Sequence, residues 1–441
     1  MPANTPPEKQ PNAKPQAVAT PDQNRTNSAI TPVAQNSEGL ADGWKWVKLG
    51  EACNVLMGQS PPSTSYNTDG IGVPFFQGKA EFTDLHPVVE KWCSSPNKIA
   101  EPNDILLSVR APVGTTNIAD QKCCIGRGLA AIRFPNYKYA FYFLRSIEQQ
   151  LDKKGTGTTF RAISGETIRE TLFPLASETD QHAIVSKIEE LLSELDKGKQ
   201  QLEIAQQQLK IYRQAVLKWA FEGKLTNENV KEGELPVGWK MVELGKVCEK
   251  IQDGSHFSPQ VQYMEPGTNR YMYITAKNIR NNYMDMTKLI YVDKDFHDSI
   301  YNRCNPEFGD VLLTKDGVNT GEVTLNTIRE PFSLLSSVCI FKTKKQELKS
   351  EFLKYFIQSP FGSKLIDSSM TGTAIKRIVL RKIRDAKIIL PPIDEQRLII
   401  QEIESRLSVC DKVEETITTS LAQAETLRQS ILKKAFEGKL V

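Results

Sequence analysis

The sequence predicts an α+β protein built twice: two similar β-rich α/β domains separated by two long coiled-coil helices, an internal repeat with pseudo-twofold character. Three observations predict it. The stretches from Gln181 to Leu225 and from Gln396 to Leu440 carry the same long helical pattern, share Asp-Lys near their middles (Asp196-Lys197, Asp411-Lys412) and close on an identical Ala-Phe-Glu-Gly-Lys-Leu. Gly-Trp-Lys-Trp-Val-Lys-Leu-Gly-Glu-Ala-Cys, Gly43 to Cys53, returns as Gly-Trp-Lys-Met-Val-Glu-Leu-Gly-Lys-Val-Cys, Gly238 to Cys248. Two shorter matches lie between: Asp104-Ile-Leu-Leu-Ser with Asp310-Val-Leu-Leu-Thr, and the segment Thr156–Ile163 with Thr371–Ile378.

Taken in order, residues 1–41 are rich in Pro, Gln, Asn, Ala and Thr and almost free of large apolar groups. Burial cannot offset the entropy of ordering such a segment, so a disordered leader is expected. The first globular domain is expected over residues 42–176 and the second over 237–392, with a polar connector at 226–236. Val73-Pro-Phe-Phe-Gln and Tyr271-Met-Tyr-Ile-Thr are β-branched or aromatic runs, each leading to a lysine, Lys79 or Lys277. Asp104–Val109 and Asp310–Thr314 read as short buried strands feeding glycine-bearing loops, Arg110 to Gly114 and Lys315 to Gly321. Single short helices are expected at 137–152 and 350–369. Pro-marked junctions at Phe173-Pro174 and Pro391-Pro392 then open the long helices, placed at 177–225 and 393–441.

The helices are read from their seams. Ile188, Leu195, Leu202, Leu209 and Val216 recur every seven residues, with Ile184, Leu191, Gly198, Ala205, Tyr212 and Trp219 on the companion row. Ile403, Cys410, Ile417, Ala424 and Ile431 form the matching seam of the second copy. A heptad seam surrounded by Glu, Gln, Lys and Arg wants a partner helix, and two matched copies offer each other one. At ~1.5 Å per residue, about 36 to 40 helical residues make a rod of roughly 55 to 60 Å.

Composition excludes several classes. A formal charge of +3 in 441 residues gives no global basic excess, so a polyanion-binding surface has to come from local clustering. The eight cysteines lack C-x-x-C spacing, and the four histidines sit in separate contexts, so reduced thiols and no metal site are expected. No apolar run approaches a membrane span and no signal-peptide core is seen; a soluble, cytoplasmic protein is expected. There is no G-x-x-x-x-G-K-[ST] phosphate loop and no nucleophile elbow. Ser60-Pro-Pro-Ser and Asn305-Pro-Glu-Phe each miss a position of the Pro-Pro-aromatic pattern of amino-methyltransferases, so no catalytic residue is assigned.

What remains is polar and basic chemistry on loops. Gln77, Lys79, Arg110, Lys277, Asn278, Arg280, Lys315 and Asn319 are of the types that contact DNA: Arg and Lys to guanine or phosphate, Asn and Gln to adenine. The loops themselves differ between the halves, Gln59 to Asn67 against Asp253 to Pro259, while the frame repeats. Unlike loops on a duplicated frame suit two halves that read different targets.

The order of globular domain, helix ending Gln-Ala-Val-Leu-Lys-Trp-Ala-Phe-Glu-Gly-Lys-Leu, second globular domain, Leu390-Pro-Pro-Ile-Asp-Glu-Gln396, and helix ending Gln-Ser-Ile-Leu-Lys-Lys-Ala-Phe-Glu-Gly-Lys-Leu resembles the specificity subunit of type I restriction-modification enzymes across residues 43–441. The first junction departs from that pattern, with Phe173-Pro-Leu-Ala-Ser-Glu-Thr-Asp-Gln in place of Leu-Pro-Pro. The resemblance implies two target-recognition domains, each reading half of a split double-stranded DNA site, held apart by antiparallel helices. It implies a non-catalytic chain that docks two modification subunits and, through them, two restriction subunits with motor and nuclease activity. S-adenosylmethionine, ATP and Mg then belong to those partners. Phe221 and Phe436, at the helix ends, are candidate docking anchors; the competing expectation is that they pack internally, with Gly223 and Gly438 as helix stops. A single-chain DNA adenine methyltransferase and a scaffold that does not bind DNA remain as alternatives.

Overall fold

The structure is a computed structural model that describes residues 43–157, 161–227, 229–231, 233–372 and 377–440. The leader expected at 1–41 lies outside the described residues, as does part of the Thr156–Ile163 and Thr371–Ile378 repeat. The chain forms two compact units, one running to Glu189 and including Ser430 onward, the other spanning Glu190–Gln429.

In the first unit the principal elements are β1 (Lys45–Lys48), β2 (Asn54–Met57), β3 (Val73–Phe76), β4 (Ile105–Ser108), β5 (Thr116–Ile118), β6 (Cys123–Ile125), β7 (Leu129–Arg133), helix α1 (Tyr137–Ser146) and β8 (Leu172–Leu175). An antiparallel sheet runs in the order β2-β7-β4-β5, and β1 pairs with β8 with Lys45 opposite Leu175. A second sheet is built around β3 and β6, which run parallel. Strand β4 is buried along its whole length, as a continuous Ile-Leu-Leu run requires when both faces are covered. Asp104 at its start holds Arg133 at the end of β7 through two hydrogen bonds of 2.7 and 2.8 Å. Asn136 caps α1, and that helix buries Tyr139, Phe141 and Phe143.

The long helix α2 (Glu178–Phe221) follows. In the second unit come β9 (Lys240–Glu243), β10 (Cys248–Asp253), β11 (Arg270–Ile274), β12 (Ile290–Asp293), α3 (Lys294–Cys304), β13 (Val311–Thr314), β14 (Val323–Leu325), β15 (Ser333–Leu334), β16 (Val338–Thr343), α4 (Ser350–Gln358), α5 (Pro360–Ser369), β17 (Lys387–Leu390) and the second long helix α6 (Ile393–Phe436). The frame of the first unit returns: a sheet in the order β10-β16-β13-β14, and β9 paired with β17. β11 lies between β12 and β15 in a further sheet, parallel to β15. Asp310 takes the place of Asp104, holding Lys342 Nζ at 2.9 Å.

The single helices expected at 137–152 and 350–369 are each two. Pro360 supplies no N–H and drives Ser359 into extended backbone, so α4 stops and Ser359 caps α5 by accepting the Gly362 N–H. In the first unit the break falls at Ile147, between α1 and a short helix Glu148–Lys154.

Each long helix has 44 residues, about 66 Å at ~1.5 Å per residue. Within the second unit, Asp196 of α2 bonds Arg428 of α6, while Arg213 bonds Asp411 at 2.6 Å and Glu414 at 2.9 Å. Moving 17 residues forward on α2 (213 − 196) moves 17 back on α6 (428 − 411), so the helices run antiparallel there. Cys410 and Ile417 are buried, as the heptad reading requires of one row. The companion row is mixed: Ile184 is buried, Leu191 and Ala205 are half-buried, and Gly198, Tyr212 and Trp219 are exposed. An antiparallel pair needs one apolar stripe per helix, and Gly198 has no side chain to contribute.

Both helices stop through the same backbone device. Gly223 and Gly438 have positive φ, and the next residues, Lys224 and Lys439, donate their N–H groups to Trp219 and Lys434 carbonyls. The glycine N–H groups bond Ala220 and Ala435, completing a Schellman pair at each end. Phe221 and Phe436 take the competing expectation and pack internally. Phe221 is wholly buried, edge-on to Phe352 and Phe356 of α4, and Phe436 packs the same way on Tyr139 and Phe143 of α1. Phe221 ties the end of α2 to the core of the second unit and Phe436 ties the end of α6 to the core of the first, because a benzyl group on the last helical turn gains more by burial than by exposure.

Candidate nucleic-acid interface

In the first unit the turns after β2, β3, β4 and β6 are tied to one another by backbone hydrogen bonds. Gly58 N–H bonds Leu129 O, Gln59 N–H bonds Ile125 O, Gly126 N–H bonds Phe76 O, and Val109 N–H bonds Gly128 O. This brings Gln59, Gln77, Arg110 and Arg127 to one edge, all of them exposed. Lys79, also exposed, opens a short 3₁₀ turn just beyond Gln77. Arg161 joins the edge through Ala111 N–H to Arg161 O at 2.9 Å, with its guanidinium on Asp152. Sequence reading placed Gln77, Lys79 and Arg110 and missed Arg127, whose signal was a lone arginine between two glycines after a strand.

The second unit treats its expected contacts differently. Lys277 is exposed at the position matching Lys79, and Asn319 lies half-buried on the loop after β13. Asn278 and Lys315 are corrected to buried structural roles, while Arg280 is half-buried among protein partners. Asn278 is buried; its Oδ1 accepts the N–H and hydroxyl of Thr275, and its Nδ2 donates to Asp285 O. Arg280 donates to the carbonyl of Ile279 and sits between Asp285 and Glu322 at 3.8 and 3.7 Å. Lys315 is buried with Nζ 2.7 Å from Asp253 Oδ2. A buried ammonium or amide has to be bonded, and once bonded it is not free for a base.

Asp253 is the centre of that second edge. Its carboxylate also receives Arg303 Nη2 at 2.6 Å and lies 3.0 Å from His256 Nε2. Burial opposes its ionisation, yet the hydrogen bonds from Lys315 and Arg303 outweigh burial and hold the carboxyl down at about 2. The cluster fixes the end of β10, the last turn of α3 and the loop after β13, leaving Phe257 and Val318 exposed at loop tips.

Backbone bonds put the two edges in register. Val109 N–H bonds Gly128 O as Lys315 N–H bonds Ser337 O, and Gly58 N–H bonds Leu129 O as Gly254 N–H bonds Val338 O. Val109 therefore matches Lys315, Met57 matches Asp253, and Arg127 matches Ser336. Arg110 bridges Ala162 where Asp316 bridges Arg377, the latter pair ion-bonded at 3.0 Å. On the first edge Arg161 is paired with Asp152 while Arg110 and Arg127 have no ion-pair partner among the described residues; the second spends its charges on one another.

Comparison with known proteins gives consistent relatives. The model of the type I restriction modification DNA specificity domain matches residues 41–206 and 236–423. A putative type I restriction enzyme MjaX specificity subunit from Methanocaldococcus jannaschii is 41% identical over 172 residues, 37% of this chain and 40% of that protein. The Escherichia coli EcoBI specificity subunit is 24% identical over 436 residues, covering 92% of this chain and 89% of the relative. Among solved structures, the HsdS subunit from Thermoanaerobacter tengcongensis has a TM-score of 0.61 at 21% identity, covering 91% of this chain and 98% of that one. A chain from a study of complex assembly and conformational transition of the type I R-M system reaches 0.69 at 22% identity, covering 91% and 99%. At these identities the structural likeness speaks for the fold.

Proposed function

This chain belongs to the type I restriction-modification DNA specificity family, and from that premise we propose that its two globular domains, at 42–176 and 237–392, each read one half of a bipartite double-stranded DNA site. The observation that carries the division is the shared frame with unlike edges: the same strand order, with Arg110 and Arg127 free on one copy and Asp253, Lys315 and Arg303 locked together on the other. In this reading the helices at 177–225 and 393–441 form an antiparallel coiled coil that sets the spacer. Their roughly 66 Å corresponds to about 19 base pairs at ~3.4 Å each.

The chain itself is non-catalytic and cytoplasmic in this proposal. Two modification subunits, carrying S-adenosylmethionine and methylating adenine, dock on the helices, and two restriction subunits with ATP and Mg join through them. Support for helix docking comes from Ile211, Tyr212, Trp219, Val409 and Val413, apolar side chains exposed on α2 and α6 in the second unit. Among the described residues no helix is long and apolar enough to cross a membrane.

The test is to express the chain with modification subunits and map methylated adenines in chromosomal DNA. A two-part motif with an unspecified spacer is expected, and seven residues inserted into both helices should lengthen that spacer. A contiguous motif, or none, would end the half-site reading; an unaltered spacer would end the ruler.

A further inference from the structure

We infer that Arg127 is a specificity-determining residue of the first domain, its guanidinium held ready for a guanine edge between the segments that carry Gln59 and Gln77; this rests on the half-site reading above. The backbone around it is closed so tightly that only glycine fits. A Cβ on Gly58 would lie 2.2 Å from Gly126 O, and one on Gly128 would lie 2.2 Å from Gln77 O. Arg127 N–H donates to Ser60 Oγ at 3.2 Å, and hydrogen bonds from Gly126 N–H to Phe76 O and from Val109 N–H to Gly128 O pin both flanks. The base of the side chain is thus fixed before any ligand arrives, which removes part of the ordering cost of a bidentate contact.

The head group, by contrast, is uncommitted. The first domain carries six arginines, at 110, 127, 133, 145, 161 and 169. Arg133 holds Asp104, Arg145 bonds Asp84 O, Arg161 bonds Asp152 and Arg169 bonds Val55 O. Arg127 and Arg110 alone make no such side-chain bond among the described residues. A planar fork of donors flanked by two glutamines matches the major-groove code, arginine to guanine O6 and N7 and glutamine to adenine N6 and N7. Arg110 sits at the edge of this group and is assigned to phosphate. Ser336 occupies the Arg127 register in the second domain, so the contact belongs to one half-site and not the other.

The experiment uses the full chain with its modification subunits, and its readout is the adenine-methylation motif in chromosomal DNA of the expressing cell. Arg127→Ala and Arg127→Lys should both relax one position in one half of the motif, with the preference for guanine there falling about ten- to hundred-fold, while the other half stays unchanged. Lysine keeps the charge but not the fork, so its failure to rescue separates base reading from charge. An unchanged motif in both variants, or a uniform loss of methylation at every site with the motif intact, overturns the inference. A wild-type chain that yields no two-part motif removes the half-site reading, and this inference falls with it.

Discussion

At one register of a shared frame the first domain carries Met57 and Val109, and the second carries Asp253 and Lys315. The strands on either side are alike, and the backbone bonds that tie them are the same. Only the side chains change, from two apolar residues to a buried ion pair that also recruits Arg303 and His256. The consequence reaches the surface. Where this register carries no ion pair, Arg110 and Arg127 make no side-chain bond among the described residues. Where it is held by charge, the basic groups near the edge are consumed internally, and Phe257 and Val318 are what the loops present. Two domains of one architecture can therefore read DNA by different means, since the same positions either stabilise the loops or face outward.

The sharpest way to break this comparison is to remove one partner of the ion pair. Asp253→Ala removes the closer carboxylate and leaves the buried Lys315 ammonium only Asp316 Oδ2 at 3.7 Å, so the second domain should lose about 3 kcal/mol, the lower end of what buried pairs lose when halved. Val109→Ala, at the register of Lys315 in the first domain, strands no charge and should cost about 1 to 2 kcal/mol of lost burial. Peptide-resolved amide exchange reads the two domains separately; equal losses would mean that the charge cluster contributes no more than ordinary packing.

Importing the first domain's solution is the complementary test. Asp253→Met combined with Lys315→Val removes both charges together, and most of the loss from Asp253→Ala should be recovered. Arg303 would then lose its carboxylate but keep the carbonyls of Asp253 and Gly254, each 2.9 Å from its Nε, so it is not abandoned.

Acid titrates the same difference more gently. The Asp253 carboxyl is held at about 2, below its ordinary value of 3.8, so its contribution is complete above that ordinary value and is lost as pH falls through the folded one. The second domain should lose roughly 2 kcal/mol between about pH 4 and pH 2 by way of this group. Asp253→Asn, which cannot ionise, should flatten that part of the exchange profile, and a profile of unchanged slope would remove Asp253 as its source.

What the sequence disclosed follows from how local each signal is. The repeat, the two long helices and the glycines that end them were legible, because heptad spacing and an Ala-Phe-Glu-Gly-Lys-Leu ending are written in adjacent residues. Lys315 was misread as a DNA contact since its partner lies 62 residues earlier, and nothing in a lysine's neighbours reveals a distant carboxylate. Asn278 was misread for a more local reason: Thr275 and Asp285 close around it only once the 3₁₀ turn forms. Phe221 and Phe436 show the same limit, as their burial depends on α4 and α1. Arg127 went unseen because its meaning lies in how closely Gly58, Gly126 and Gly128 let three backbone segments approach.

The smallest expected effect bears on what the two domains still share. Lys79 and Lys277 follow matching strands, each at a 3₁₀ turn, and both are exposed. A lysine is a strongly hydrated point charge without the planar fork that distinguishes one base from another, so each is expected to meet a phosphate. Lys79→Ala and Lys277→Ala should each weaken DNA binding without changing the preferred sequence, and each should reduce the slope of log affinity against log salt by about 1. The two slopes should be equal even though the edges beside them are not. A lysine whose loss altered the motif would be reading a base, and the domains would then differ at this position too.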